Sequence, residues 1–343
     1  MPDRLRIVHA VRSDGFAGVE RYVGQLAVAQ GAAGHDVAVI GGDPAMMAGV
    51  LGGAGIRHRP AVTALDVMRA VDAERRCDLL AVHMTAAEAA TAFAVRAWRV
   101  PVVSTRHFGL RRGTSVPARF ARGLIAARIA AQIAISDYVA ARIDGASTVV
   151  HTGVPSRPNA LPASARERSV LVAQRLEPEK RTVDAIRAFS LSGLADAGWR
   201  LDLAGVGSQR APLEALTATL GISGSVRFLG RRSDVPDLMG AAGLVLATCD
   251  IEGLGLTVLE AMAAGTAVVA VAAAGHLETL GELAEAALYQ PGDLEAAGLL
   301  LAGLAESEPE RDRYGAVLQA RQRAQFTIEA QAAATEAVYR SVL

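Results

Sequence analysis

Strand-like and helix-like segments alternate through this chain twice, with one proline-rich break between the two runs. Buried-strand character marks LRIVHAV (5–11), DVAVIGG (36–42), DLLAVH (78–83), VPVVST (100–105) and QIAIS (132–136). Helical spacing fills the gaps. Between the first two strands Tyr22, Val23, Leu26 and Ala27 fall on one face of a helix over Glu20–Gln30. Gly31 or Gly34 ends that helix, because glycine suits the left-handed position after a helix. Segment 151–168, HTGVPSRPNALPASARER, then interrupts the pattern with three prolines and reads as an inter-domain linker. The alternation restarts with strands at 169–174, 200–207, 225–230, 243–248 and 267–271, and a terminal helix spans 325–343. Strand, helix, strand at this spacing makes parallel crossovers, so each run predicts a doubly wound α/β sheet. The expected division is residues 1–155, residues 156–324 and a last helix over 325–343. Open sheets of this kind bind ligands at the carboxyl ends of their strands, which predicts a cleft between the two domains.

The 343 residues suffice for two such domains, and 51% hydrophobic content with only 4% aromatics predicts aliphatic cores. Formal net charge is +0, so no overall field attracts nucleic acid, and any anion site must be built locally. Cys77 and Cys249, the only cysteines, suggest neither a disulfide framework nor zinc. MPDRLRIVHAV runs directly into a strand without a secretory apolar stretch, and Ala261–Gly275 is shorter than the roughly 20 residues a membrane span needs. The expectation is a cytoplasmic protein. Arg111, Arg112, Arg119, Arg122 and Arg128 cluster in the first half, which raises peripheral contact with anionic lipid, although Arg119 and Arg128 point opposite ways on a helical wheel.

The strongest chemical signal is CDIEGLGLTVLEAMAAGTAVVA (249–270). A strand ends near Thr248, a glycine-punctuated loop follows, and a helix begins around Thr257. Gly253 and Gly255 allow tight turns and close approach of a ligand, and the amides of Leu256, Thr257 and Val258 open the helix. A helix N-terminus carries roughly half a positive charge and unpaired donors, which suits a phosphate. Glu252 in the loop and Glu260 in the helix would repel a phosphate unless they accept hydrogen bonds from sugar hydroxyls. Separately, a solvated loop glutamate and a helix-dipole complement account for them equally well. In LVAQRLEPEKRTVDAIRAF (171–189), Arg175 closes a strand and Lys180 follows at the start of a helix. Two cations there can grip a diphosphate and stabilise the charge on a departing nucleoside diphosphate; the alternative is two surface cations. Lys180 is the single lysine among 35 Lys and Arg residues. A compact ammonium is not equivalent to a planar guanidinium, so chance is the weaker account of its survival. RSDGFAGVERYVGQL (12–26) places Gly18 at the start of the first helix, where backbone donors could touch a phosphate or sugar. It is not G-x-G-x-x-G, which disfavours a dinucleotide dehydrogenase. His107, in VVSTRHF, sits at a strand's carboxyl end and is either structural or part of the cleft rim. No Asp-x-Asp pair offers to hold a divalent metal, and the two cations with the helix N-terminus make one unnecessary for charge balance.

Together these segments resemble the retaining glycosyltransferase family 4, which has the GT-B fold. The resemblance runs over nearly the whole chain and is most specific from 171 to 278. QRLEPEK is similar to the family's Gly-Arg-Leu…Lys segment, and Glu252 and Glu260 reproduce its Glu-x7-Glu spacing inside EGLGLTVLEAMAAGTAVVA. LAGVGSQRAPLEAL, VRFLGRRSDVPDLMGAAGLVL and HTGVP fall in family order. FAGVERY resembles the Gly-Gly-x-Glu-Arg loop, and STRH the Thr-x-His segment. The resemblance implies a UDP- or GDP-linked sugar donor bound as substrate, with no cofactor and no metal, and a glycan, lipid-linked or small-molecule acceptor. It implies that Arg175 and Lys180 hold the diphosphate, Glu260 the ribose and Glu252 the transferred sugar. Backbone from Leu254 through Gly255, Leu256 and Thr257 to Val258 would meet sugar and phosphates, and backbone near Arg231 to Asp234 would frame the base. Gly18 and His107 would reach across from the first domain, and the last helix would cross back onto it. Three departures stand out: Ala17 for the first glycine of the pair, Gln174 for the glycine before Arg-Leu, and Ala273-Ala274 where the family has a glycine turn before the acidic residue matched by Glu278. Rival readings are an epimerase or hydrolase on the same fold, and a non-catalytic nucleotide-sugar-binding partner.

Overall fold

A computed structural model describes residues 4–74, 76–112 and 123–343. The chain divides into two compact units: Met1–Gly153 with Ile328–Leu343, and Val154–Thr327.

The first unit is built on β1 (Arg6–Val11), β2 (Asp36–Ile40), β3 (Arg57–Arg59), β4 (Leu79–His83), β5 (Val102–Arg106), β6 (Ala131–Ala134) and β7 (Thr148–Val149). They pair in the order β3-β2-β1-β4-β5-β6-β7, and every pairing is parallel. Order therefore reverses between β1 and β4, the place where a parallel sheet opens a crevice beyond its carboxyl ends. Both faces are covered, which is why the strands read as nearly unbroken apolar runs. On one face Val8, Ala10, Ile40, Leu80 and Val82 pack with Val67 and Ala70 of helix Ala64–Ala73 and Ala87 and Ala90 of helix Met84–Ala92. On the other, Leu5, Ile7, Leu79, Ala81, Val103 and Ile133 pack with Val338 and Tyr339 of the last helix, Ile328–Arg340. Gly153 N donates to Gln331 Oε1 at 2.7 Å and ties that helix further to the sheet.

The second unit repeats the plan. β8 (Glu167–Ala173), β9 (Arg200–Ala204), β10 (Val226–Gly230), β11 (Ala242–Ala247), β12 (Ala267–Val271) and β13 (Leu288–Tyr289) form a parallel sheet in the order β10-β9-β8-β11-β12-β13. Here the order reverses between β8 and β11.

The structure adds three short edge strands, β3, β7 and β13, that the apolar pattern does not mark. Two or three residues give no period, and Arg57-His58-Arg59 is polar. The first helix spans Gly18–Ala32 and so begins before Glu20, because the Glu20 carboxylate accepts from Ala17 N at 2.7 Å and fixes the first turn. Segment 151–168 is not a loose linker beyond Val154. Val154 N donates to Phe326 O at 3.0 Å, Gln322 Nε2 to Val154 O at 2.9 Å, and Ala163 N to Asp312 Oδ1 at 2.7 Å. The chain crosses between units at Gly153-Val154 and again at Thr327-Ile328.

Two members of the basic cluster turn inward. Arg112 is buried and pairs with Glu88 at 2.6 Å and Asp144 at 2.9 Å. Arg128 is buried too, donating to Ala97 O and Val100 O at 2.8 and 2.7 Å with its guanidinium over Trp98. Neither is available to a lipid headgroup. Arg119 and Arg122 lie outside the described residues. Among the described residues no helix is long and apolar enough to cross a membrane.

Tyr339 is fully buried where the last helix meets the first sheet. Tyr339→Ala is expected to cost about 3–5 kcal/mol in urea unfolding, as for other large-to-small core changes; a loss below about 1 kcal/mol would mean that the last helix is not part of that core.

Candidate active site

The two strands that flank the reversal in the second sheet supply the loops that matter. After β8, Gln174 N donates to Ala204 O and Leu176 N to Val206 O, so the strand end is sewn to the Gly205-Val206-Gly207 loop after β9. A Cβ on Gly207 would lie 2.3 Å from Leu176 O, which is why no larger residue fits there. Pro178–Lys180 makes a short 3-10 turn, and Arg181 (φ 54) reverses the chain into helix Thr182–Leu191. The turn holds Lys180 by its carbonyl, which accepts from Gln174 Nε2 at 2.8 Å and from Thr248 Oγ1, just past β11, at 3.0 Å. Gln174, one of the departures from the family pattern, thus braces the lysine. Arg175 sits differently: it is half exposed and pairs with Glu179 Oε1 at 2.7 Å.

After β11, residues 249–255 run to helix Leu256–Ala263, whose N-terminal position is Gly255 at φ 99. The loop has close neighbours. A Cβ on Gly255 would come within 3.0 Å of His276, and one on Gly275 within 2.3 Å of Leu254 Cα, while Gly275 N donates to Glu252 O at 3.0 Å. Thr257 Oγ1 donates to Ala173 O at 3.0 Å and fastens the helix start to the end of β8. No side chain caps this N-terminus. The first-turn amides of Leu256, Thr257 and Val258 and the helix dipole therefore stand beside β8. Glu260 is buried one turn in.

The structure brings Lys180 and Glu252 together: Nζ lies 2.6 Å from Oε2, with both side chains mostly shielded. Burial pushes the Lys180 ammonium down, but the Glu252 charge and hydrogen bond outweigh it and hold it above its ordinary range. Burial likewise pushes the Glu252 carboxyl up, and Lys180 pulls it below the usual carboxylate range. His276 is buried behind the loop with Nδ1 3.2 Å from Val271 O, and burial keeps it below its ordinary value. Burial also pushes the Cys249 thiol up to about 11, so it is a poor nucleophile. Arg231 is exposed at the loop after β10, beside the Arg232–Asp234 pair. Ala274 takes φ 50 and ψ −135, a conformation that favours glycine, where the family pattern has one.

Gly18 and His107 belong to the first unit. A Cβ on Gly18 would meet nothing within 4 Å, so packing does not demand glycine there. His107 follows β5 and is buried rather than open on a rim, with Nε2 3.1 Å from His83 Nδ1 and Tyr22 edge-on at 4.6 Å. Sequence reading passed over His83, His9 and the Gln174 brace. A histidine ending the apolar run DLLAVH was the available signal for the first of these.

Two doubly wound parallel-sheet units with this strand order are the GT-B architecture of glycosyltransferases. Residues 156–320 match the family described as Glycosyl transferases group 1, and residues 16–157 the one described as Glycosyltransferase Family 4. The chain is 30% identical to the lipopolysaccharide core biosynthesis mannosyltransferase LpsB of Rhizobium meliloti, over 63% of this chain and 67% of that protein. It is 34% identical to the 2-deoxystreptamine glucosyltransferase of Streptomyces kanamyceticus, over 35% of this chain and 32% of that one. A 32% identical stretch of the Streptomyces coelicolor exopolysaccharide phosphotransferase SCO2592 covers 46% of this chain but only 18% of that protein. Among solved structures, Anabaena Alr3699/HepE in complex with UDP and glucose superposes with a TM-score of 0.80 at 20% identity, over 98% of this chain and 100% of that one. A Rickettsia africae glycosyltransferase gives 0.77 at 16% identity, over 99% of each chain. The chain belongs to glycosyltransferase family 4, and it is a transferase.

Two outcomes follow from the site's geometry. Glu252 is depressed below 4.5 and Lys180 raised above 10.5, so the pair contributes fully between about pH 5 and 10. The Glu252 share is lost as pH falls through its lowered folded value. The Tm difference between wild type and Glu252→Gln should therefore be flat from pH 6 to 9 and shrink below about 4.5; a difference that widens on acidification contradicts the pairing. Ala274→Gly removes backbone strain of about 1–3 kcal/mol and adds about 0.5–1 kcal/mol of chain entropy cost. A net gain near 1 kcal/mol is expected in urea unfolding, and a net loss would show that Ala274 is not strained.

Proposed function

We propose that the chain is a retaining, metal-independent, cytoplasmic glycosyltransferase. It moves a sugar from a UDP- or GDP-linked donor to a hydroxyl of a glycan, lipid-linked or small-molecule acceptor. The observation that carries this reading is the Lys180 ammonium, braced at the reversal point of the second sheet beside an uncapped helix N-terminus. An ammonium, the nearby Arg175 and a helix dipole make a preorganised positive site for a diphosphate. The Anabaena neighbour, whose structure is a complex with UDP and glucose, points to the same ligand class.

In this reading residues 156–324 are the donor domain and residues 1–155 the acceptor domain. The donor diphosphate takes Lys180 in competition with Glu252, and Arg175 swings from Glu179 to join it. Glu252, displaced, turns to the hydroxyls of the transferred sugar. Glu260 holds the ribose, the Arg231–Asp234 backbone frames the base, and the 254–258 backbone meets sugar and phosphates. Gly18 and His107 are the first unit's candidate donor contacts, and a Cβ on Gly18 would meet nothing within 4 Å. The acceptor hydroxyl attacks the anomeric carbon on the face from which the nucleotide leaves. The bond from that carbon to the phosphate oxygen breaks with its electron pair on the phosphate, which takes up the acceptor's proton. Stabilising that departing charge carries most of the rate, and the two cations with the helix N-terminus do so without a divalent ion.

A thermal-shift screen with UDP, GDP and ADP sugars, repeated with EDTA, tests donor and metal independence together. Lys180→Ala should lower turnover by roughly 10²-fold or more, the cost of one preorganised donor; unchanged turnover removes the diphosphate assignment. Glu252→Ala should weaken transfer more than nucleotide binding, and equal losses would count against its sugar role. Isomerised sugar formed from donor alone would favour the epimerase alternative.

A further inference from the structure

His9 of β1, His83 at the end of β4 and His107 just past β5 share one face of the first sheet. Parallel register sets Val11 beside His83 and His83 beside Thr105, and two-residue steps lead from Val11 back to His9 and from Thr105 on to His107. Toward the amino ends the same rows carry Ile7, Leu79, Ala81 and Val103 of the apolar core. Near the carboxyl ends they change to histidine. Gln30, from helix Gly18–Ala32, begins a continuous hydrogen-bonded chain. Its Oε1 lies 2.7 Å from His9 Nε2; His9 Nδ1 lies 3.0 Å from His83 Nε2; His83 Nδ1 lies 3.1 Å from His107 Nε2. His9 and His83 are fully buried and His107 is 5% exposed. Met84, directly after His83, holds φ 71, a left-handed backbone that a bulky residue adopts only where its surroundings impose it.

We propose that Gln30, His9 and His83 are positioning residues that lock His107 in a single tautomer, with the proton on Nε2 and Nδ1 presented as an acceptor to a substrate hydroxyl. An amide oxygen only accepts, so His9 Nε2 carries a proton. A neutral imidazole has one N–H, which leaves His9 Nδ1 an acceptor, so His83 Nε2 donates to it. The same step fixes His83 Nδ1 as acceptor and His107 Nε2 as donor. Each ring must be neutral for this, and burial provides that: it lowers His9 to about 4, lowers His107 to about 3 with help from the Arg106 charge, and holds His83 well below its usual value. The chain is a lock rather than a proton wire, because its inner end is an amide oxygen that takes up no proton near neutral pH. The lock stands on this geometry; its effect on turnover rests on the proposed reading in which His107 is a donor contact.

Histidine-selective 15N labelling with long-range 1H–15N spectra at neutral pH tests it on the full chain, the His107 signal being assigned by its loss in His107→Gln. Wild type should show one His107 tautomer, protonated at Nε2. His83→Phe should give a tautomer mixture and lower turnover of the nucleotide sugar about tenfold with little change in donor KM, the worth of one oriented hydrogen bond. His83→Gln, which keeps one acceptor and one donor, should restore both. A wild-type His107 protonated at Nδ1, or exchanging between tautomers, overturns the proposal. Release of the lock with unchanged turnover upholds the tautomer lock, overturns the presentation of Nδ1 to a substrate hydroxyl and removes His107 from the transfer reading. Should His83→Phe fail to fold, the wild-type spectrum and Gln30→Met, which deletes the chain's fixed end, decide the matter.

Discussion

The unit that carries Lys180 and Glu252 depends on keeping an ammonium charged in a largely shielded place. Desolvation works against that charge, and a carboxylate at contact distance restores it. Neither Lys180 nor Glu252 achieves this alone. The lysine is set by backbone: its carbonyl is held by Gln174 from the end of β8 and by Thr248 from beyond β11. The glutamate is set by a loop that Gly275 lets lie flat against its neighbour. Because the two strands adjoin at the reversal of sheet order, loops far apart in sequence arrive together. The topology brings the two loops together, and the pair forms between them.

Lysine rather than arginine suits this arrangement. A guanidinium needs several acceptors in a plane, and the surroundings of Lys180 offer one carboxylate. Arg175, the nearest alternative cation, lies outside in a pairing with Glu179 that costs little to break. One cation is thus held in a shielded pair and the other in an exposed one.

Much of this was legible in the sequence. The ten longer strands, the two-part division and the glycine-marked helix start followed from alternation and from EGLGLTVLEAM. Edge strands of two or three residues were not legible, because they carry no period. The fate of Arg112 and Arg128 was not legible either. A charge in a sequence has no inside or outside until Glu88, Asp144 and the carbonyls of Ala97 and Val100 converge on it. Gln174 read as a lost glycine and proved to be a brace, since its partner is a backbone carbonyl that no motif records. The histidine ladder escaped for a related reason: its members are separated by 74 and 24 positions and meet only through strand register.

Because Ile328–Arg340 packs on the sheet begun by Arg6–Val11, the whole of Val154–Thr327 is inserted within the first unit. During synthesis the inserted unit leaves the ribosome complete, with all its strands in hand. The unit that started first must wait, with one face of its sheet only partly covered by helix Gly18–Ala32, until Ile328–Arg340 emerges. Contacts spanning more than 300 positions are among the slowest to close. The nascent chain therefore completes its inner part before its outer one, and Leu5, Ile7 and Leu79 gain the cover of Val338 and Tyr339 only after Ile328–Arg340 has been made.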